Sequence, residues 1–100
     1  MVNVITPLNG ANFAAMTTTY TGTAGTLAGW VPGPSSVAVV CTTAAYVRVG
    51  EGVTATAADL YCPANELVVI SVPKGGTTWT VSAIQVAAGG SVYAKPCMGI

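Results

Sequence analysis

Side chains with reactive chemistry are few in this sequence, and they are widely spaced. Cysteines stand at Cys41, Cys62 and Cys97, and the chain contains no histidine. The absence of histidine excludes the Ser-His-Asp and Cys-His arrangements of nucleophilic catalysis and removes the commonest metal ligand. The cysteine spacing matches no zinc motif, so we predict neither a metal site nor a cofactor.

The redox state of the cysteines depends on the compartment in which the chain folds. Three cysteines permit three different single pairings, and each pairing leaves one thiol over. The first ten residues, MVNVITPLNG, lack basic side chains and a continuous apolar core, so no secretory signal peptide is predicted. We therefore expect reduced, buried cysteines that act as small apolar side chains, with an intermolecular disulfide as the alternative.

The acidic residues Glu51, Asp59 and Glu66 are the other candidates for catalysis. A glycosidase needs two carboxyl groups about 5–10 Å apart in a cleft, and Glu51 and Asp59 flank one predicted loop. Acids on the turns of a β-protein are far more often solvated loop residues, and no glycine-rich phosphate cradle opens a helix. The prediction is a protein that is not an enzyme.

Charge is unusually scarce along the whole chain. Charged residues make up 6% of the sequence and hydrophobic residues 52%, whereas ordinary soluble domains are about 25% charged. The net charge is zero, and residues 1–47 carry no charged side chain. Because zero net charge favours association, we expect copies of the chain or a partner to cover much of the surface. The prediction is a homo-oligomer.

Neither a bilayer nor a nucleic acid is the expected partner. Glycines, prolines and serines interrupt the most apolar window, residues 27–41, whereas a spanning helix needs about 20 apolar residues in a row. The basic residues Arg48, Lys74 and Lys95 are far apart in the sequence. They therefore form no stripe that would bind the phosphates of a nucleic acid.

Alternating apolar and polar residues predict six to eight short strands and no helix. Turn residues every 8–12 positions indicate one all-β domain over residues 1–100, an antiparallel β-sandwich or small barrel of jelly-roll or immunoglobulin-like type. We place the core sheet at 36–96 and an extended, uncharged N-terminal arm with loops at 1–35. The strands expected in the core sheet are 36–41, 45–49, 66–72, 77–86 and 91–95.

Some strand predictions are more specific. Residues 36–41 alternate poorly and carry apolar side chains on both faces, as in a strand that is covered on both sides. A hairpin turn at 73–76 should pair 66–72 with 77–86, and Pro96 should end the last strand. Residues 1–6 should form a short strand that either pairs at an edge of its own sheet or is donated to a neighbouring subunit.

Candidate partner contacts follow from these elements. Val2, Val4 and Ile5 lie on the N-terminal strand, and Tyr46 and Arg48 share one face of strand 45–49. Trp30 lies in a loop rich in glycine and proline, where it is either an exposed aromatic contact or a ring folded over the core.

A series of strand and turn motifs runs through residues 44–96. The strand AYVRV is followed by GEGVTAT, an acidic residue, CPAN, an apolar strand, and a closing AIQ and GGSVY. In this order the segment resembles small virion proteins of tailed bacteriophages, which are β-sandwiches that decorate or cement the head, or sit at the tail or fibre. The resemblance implies a structural role in many copies, with the major capsid protein or other virion subunits as partners, on a virion surface after synthesis in the host cytoplasm.

Two functions from different classes therefore remain open. The first is a capsid decoration, cement or minor head protein that stabilises the shell through apolar contacts. The alternative is a β-sandwich module of a phage tail or fibre that binds carbohydrate or a host surface. In that case Trp30, Trp79, Tyr46 and Tyr93 would supply a stacking platform, although Trp79 lies in mid-strand and is expected in the core.

Overall fold

Runs of β-branched and apolar residues, separated by glycine, proline and asparagine, form short strands throughout the chain. The computed structural model describes residues 5–7, 13–72 and 77–99. Within these ranges the strands are β1 (Ile5–Pro7), β2 (Met16–Tyr20), β3 (Gly25–Thr26), β4 (Ser36–Cys41), β5 (Ala45–Gly50), β6 (Leu60–Cys62), β7 (Val68–Ser71), β8 (Thr80–Gln85) and β9 (Gly90–Gly99).

The strands form two sheets. In the first sheet the order is β1-β9-β4-β7. On the same edge of β9 as β1, β2 pairs with the first half of β9 and β1 with its last residues. The second sheet has the order β3-β8-β5-β6. The strand pairs in both sheets are antiparallel. The predicted all-β sandwich class is therefore confirmed.

The hydrophobic core lies between the two sheets. Strand β4 is central in the first sheet and contributes Val37, Val39 and Cys41. Its other side chains are also largely buried, which confirms the prediction of a strand covered on both faces. In the second sheet Ala45 and Val47 of β5 point into the core. Tyr46 and Arg48 take the opposite face, as the alternation of the sequence predicts.

Neighbours in the sequence are seldom neighbours in a sheet. Strands β7 and β8 lie in different sheets, so the predicted hairpin between 66–72 and 77–86 is wrong; its turn, 73–76, lies outside the described residues. Among the described strands, β5 and β6 are the one consecutive pair that is hydrogen-bonded. Strands β4, β5 and β8 each have an apolar face that contributes to the core. Alternating between the sheets turns these faces toward one another and closes the core.

Strand β9 continues through Pro96 to Gly99, so the prediction that Pro96 ends the strand is wrong. Thr42 N–H donates to the Ser91 carbonyl at 2.9 Å, and Ser91 N–H donates to Thr42 Oγ1 at 2.8 Å. Odd-numbered residues of β9 thus direct their backbone groups toward β4, and Pro96 directs its backbone toward the opposite edge.

At that edge Pro96 falls in the gap between β2 and β1. The last β9 partner of β2 is Ala94, and the first partner of β1 is Cys97. The missing N–H of proline therefore costs no strand pairing. Extending the register of β2 by two residues places Ala14 opposite Pro96, and the Ala14 carbonyl instead accepts the Trp30 indole N–H at 2.8 Å.

Residues 1–35 contribute more than an arm and loops. Strand β2 pairs with β9 and β3 pairs with β8, and Tyr20, Leu27 and Trp30 are buried in the core. Ile5 lies in β1, which pairs with β9 of the same chain. Val2 and Val4 lie outside the described residues.

Candidate interaction surface

Three large side chains form a row across the outer face of the second sheet. Tyr46 of β5 is in register with Tyr61 of β6 on one side and with Ile84 of β8 on the other. Residues opposite one another in antiparallel strands have Cβ atoms about 4.5–5.5 Å apart, so the three side chains adjoin. We call Tyr46, Tyr61 and Ile84 the aromatic face.

The two tyrosines of the aromatic face contact each other. Their ring centroids are 6.1 Å apart with an interplanar angle of 66°, an edge-to-face arrangement. Such a pair contributes about 0.5–1.5 kcal/mol beyond its burial, and it restricts the rotamers of both rings. Tyr61 nevertheless keeps 52% of its surface exposed. A pre-ordered ring pair of this kind loses little side-chain entropy when a partner covers it.

A loop covers the adjoining part of the same sheet face. Ser82 of β8 is in register with the outward-facing Arg48, yet it is fully buried. The Ala55 N–H, from the loop between β5 and β6, donates to Ser82 Oγ at 2.9 Å, and the Thr26 hydroxyl donates to the same oxygen at 3.1 Å. The loop thus covers the sheet beside the aromatic face and marks one border of it.

An ion pair stands at this border. Arg48 Nε lies 3.6 Å from Asp59 Oδ1, and Asp59 Oδ2 accepts the Thr56 N–H at 2.7 Å. Exposed ion pairs of this kind contribute about 0–1 kcal/mol. The Asp59 carboxylate is therefore engaged in closing the loop and in orienting Arg48 beside the aromatic face.

The sequence-predicted contacts have different positions. Tyr46 and Arg48 lie together at the aromatic face and its border. Trp30 is only 3% exposed, its ring centroid is 4.8 Å from that of Trp79, and its N–H is bonded inside the chain. The exposed-contact interpretation of Trp30 is wrong, and the alternative of a ring folded over the core is confirmed.

The stacking platform proposed for carbohydrate is not assembled by the fold. Trp30 and Trp79 are in the core, as expected for Trp79. Tyr46 is on the outer face of the second sheet. Tyr93 of β9 is half-exposed on the outer face of the first sheet, opposite Thr17 and Val40. These two tyrosines therefore lie on opposite sides of the sandwich.

Sequence reasoning missed Tyr61 and Ile84. Both become visible only through the register of β5 with β6 and with β8, because nothing in the local pattern around either residue indicates its neighbour. The sequence did indicate that Tyr46 and Arg48 share one face of β5, because apolar and other residues alternate along this strand.

The three cysteines are free thiols, and all are buried, so the prediction of buried cysteines is confirmed. Burial raises the pKa of the Cys41 thiol. Burial raises the pKa of Cys62 to about 11, and negative charge on the nearby Cys41 sulfur acts in the same direction.

Within the part of the chain that the structure describes, no three His, Cys, Asp or Glu side chains form a group that could hold a metal ion. In the same ranges no helix has the length and apolar character needed to cross a bilayer. Comparison with protein-family models, with curated proteins and with solved structures found no match for this chain.

Proposed function

We propose that the chain is a structural assembly protein of a phage particle, a head decoration, cement or minor head protein that binds capsid subunits and its own copies. The observation that supports this proposal most is the aromatic face, where the half-buried Tyr46 and Ile84 adjoin the exposed Tyr61 on the outer face of the second sheet. The phage setting comes from the resemblance of residues 44–96 to small virion proteins.

The composition of the surface supports association. Among the described residues, large hydrophobic side chains are 41–52% exposed at Val31, Leu60, Tyr61, Leu67, Val86 and Tyr93. A stable interface buries about 800 Å² on each partner, which is about 15% of the 5280 Å² accessible surface of the chain. With only six charged residues, such an area can be covered at little cost in charge desolvation.

The alternative function, binding of carbohydrate or a host surface, would use the same surface, the aromatic face. With both tryptophans in the core, the exposed ring of Tyr61 and the half-buried ring of Tyr46, beside Arg48, are what would stack on a sugar. Assembly is favoured because apolar Ile84 continues the row and widens it beyond the size of one sugar ring.

Sedimentation velocity of the purified protein tests the assembly proposal. The wild-type chain should sediment as oligomers well above its 9.9 kDa monomer mass at micromolar to millimolar concentration. Replacing Tyr61 with serine should weaken the association about tenfold, since the exposed part of one tyrosine is worth about 1.4 kcal/mol when buried.

Tyr93→Ser is the matched control, because Tyr93 is 51% exposed, against 52% for Tyr61, and lies on the opposite face of the sandwich. It should leave the association unchanged, and circular dichroism should show both variants folded. A wild-type chain that remains monomeric at millimolar concentration would refute the assembly proposal. A glycan array on which the wild type binds and Tyr61→Ser does not would replace it with the alternative.

A further inference from the structure

Two of the three cysteines face the space between the sheets. Cys41 ends β4 and points inward with Val37 and Val39. Cys62 ends β6, is in register with the inward-facing Ala45, and belongs to the same core cluster.

Cys97 lies on the other face of the first sheet. It is in register with Ser36, whose side chain also points away from the core, and Ser36 Oγ is 3.6 Å from Cys97 Sγ.

Cys41 and Cys62 meet at one corner of the sandwich, where the chain passes twice between the sheets. Residues 42–44 connect Cys41 to Ala45, the neighbour of Cys62 in the second sheet. In the other crossing a single residue, Pro63, separates Cys62 from Ala64, which forms a β-bridge with Cys41. The Asn65 N–H donates to the Cys41 carbonyl at 2.7 Å and holds this crossing in place.

This corner places the two cysteines close to each other in facing sheets. Ala64 is the direct bridge partner of Cys41, one strand spacing of about 5 Å away, and Cys62 lies two residues from Ala64, a span of at most about 7 Å. The two Cα atoms are therefore at most about 12 Å apart, and both side chains point into the same core. A disulfide needs Cα atoms about 4.4–6.8 Å apart, so its formation would draw the two ends of this corner together.

The other two pairings are excluded by the fold. Cys41 is in register with Val92, five residues from Cys97 along β9, which is about 16 Å at the rise of a strand. Cys62 and Cys97 lie on opposite sides of the first sheet, since Cys62 faces its inner surface and Cys97 is on its outer surface.

We propose that Cys41 and Cys62, which are free thiols in this structure, are a cross-linking site: oxidation during folding forms an intrachain disulfide that joins the two sheets, while Cys97 stays a free thiol. The oxidant is a small-molecule disulfide of the glutathione class. One cysteine thiolate attacks it and releases one small thiol; the second cysteine then displaces the other. Overall, two cysteine thiols lose two electrons and two protons, and the small disulfide is reduced to two thiols.

The burial of the pair determines when this exchange occurs. The thiolate is the attacking species, and in the folded chain both thiols are shielded from solvent and have raised pKa values. Exchange therefore belongs to folding, before the core closes. Once formed, the disulfide is shielded from reductants in the same way. It closes a loop of about 20 residues and should raise the melting temperature by roughly ten degrees or more.

Refolding in a redox buffer tests the proposal. The full chain is unfolded and reduced, then refolded with reduced and oxidised glutathione or with reduced glutathione alone, and remaining thiols are alkylated after unfolding. The oxidised sample should be about 2 Da lighter before alkylation, with a Cys41–Cys62 peptide pair and alkylation at Cys97 alone. Its melting temperature should exceed that of the reduced sample.

The variants give separate tests. Cys97→Ala should keep the cross-link and its thermal shift, and Cys62→Ala should lose both. If Cys62→Ala does not fold, the peptide map of the wild type decides by itself. A linked peptide that contains Cys97, or alkylation at all three cysteines after folding in oxidised glutathione, would overturn the proposal. The result is independent of whether the chain assembles.

Discussion

The buried hydroxyl group of Tyr20 helps to hold the connection between β4 and β5, and its removal should measurably destabilise the fold. Tyr20 ends β2 and is 2% exposed. Its hydroxyl donates to the Thr43 carbonyl at 2.7 Å, lies 2.9 Å from Thr43 Oγ1, and accepts the Thr43 N–H at 3.3 Å. Thr43 is in the segment that carries the chain from the first sheet to the second, so Tyr20 anchors that crossing.

Tyr20→Phe removes these hydrogen bonds and keeps the ring in the core. A net hydrogen bond contributes about 0.5–1.5 kcal/mol, and an unsatisfied buried partner costs about 1–3 kcal/mol. Thr43 is half-buried, so water can replace part of the lost bonding. We expect a loss of about 1–2 kcal/mol, which lowers the melting temperature of a chain this size by roughly 4–16 °C.

Urea unfolding at neutral pH under reducing conditions measures this loss. The midpoint should fall by roughly 1 M while the slope m is unchanged, because the ring stays buried and the surface exposed on unfolding is the same. Tyr93→Phe is the control, since its half-exposed side chain lies outside the core and should change stability by less than about 0.5 kcal/mol. Equal midpoints for the two variants would refute the anchoring role of Tyr20.

Two further predictions concern the backbone and the thiols. Gly29→Ala should destabilise the fold by about 2 kcal/mol or more, because Gly29 has φ +100° and a Cβ there would lie 2.9 Å from the Trp79 carbonyl oxygen. The control is Gly52→Ala, at φ +54° with no atom within 4 Å of the added Cβ, which should lower the stability less in the same thermal melt. A larger loss for Gly52→Ala than for Gly29→Ala would contradict the argument. The reduced protein should lose stability as pH rises from about 9 toward 11, because the unfolded Cys62 thiol ionises near 9.0 and the folded one near 11. Below pH 9 the Cys62 thiol is protonated in both the folded and the unfolded chain, so its contribution to stability is constant. In urea melts, Cys62→Ala should lose less stability than the wild type between about pH 9 and 11. An equal loss would show that other groups cause it.

Local pattern was sufficient for the class of fold and for the faces of single strands. The alternation of Ala45, Tyr46, Val47 and Arg48 predicts which side chains enter the core, and the continuous apolar run of β4 predicts a strand covered on both sides. Both follow from the two-residue period of a strand, which is a property of the chain itself. The scarcity of charge also follows from the sequence, and with it the expectation of association.

Partner choice between strands was not predictable in this way. Glycine-rich turns suggested hairpins at 73–76, but β7 and β8 lie in different sheets because their apolar faces close the core from opposite sides. Pro96 was expected to stop a strand, and it stays within β9 because its missing N–H falls in the gap between β1 and β2. Each outcome depends on residues far away in the sequence.

The functional candidates divide in the same way. The sequence by itself determined that the chain is all-β, nearly uncharged and without histidine, and that Tyr46 and Arg48 share a face. Only the tertiary structure decided that Tyr61 and Ile84 adjoin Tyr46, that Trp30 is in the core, and that Cys41 and Cys62 lie at one corner of the core. The physical reason is that alternation is set by neighbouring peptide units, whereas register and sheet membership are set by the packing of distant apolar faces into one core.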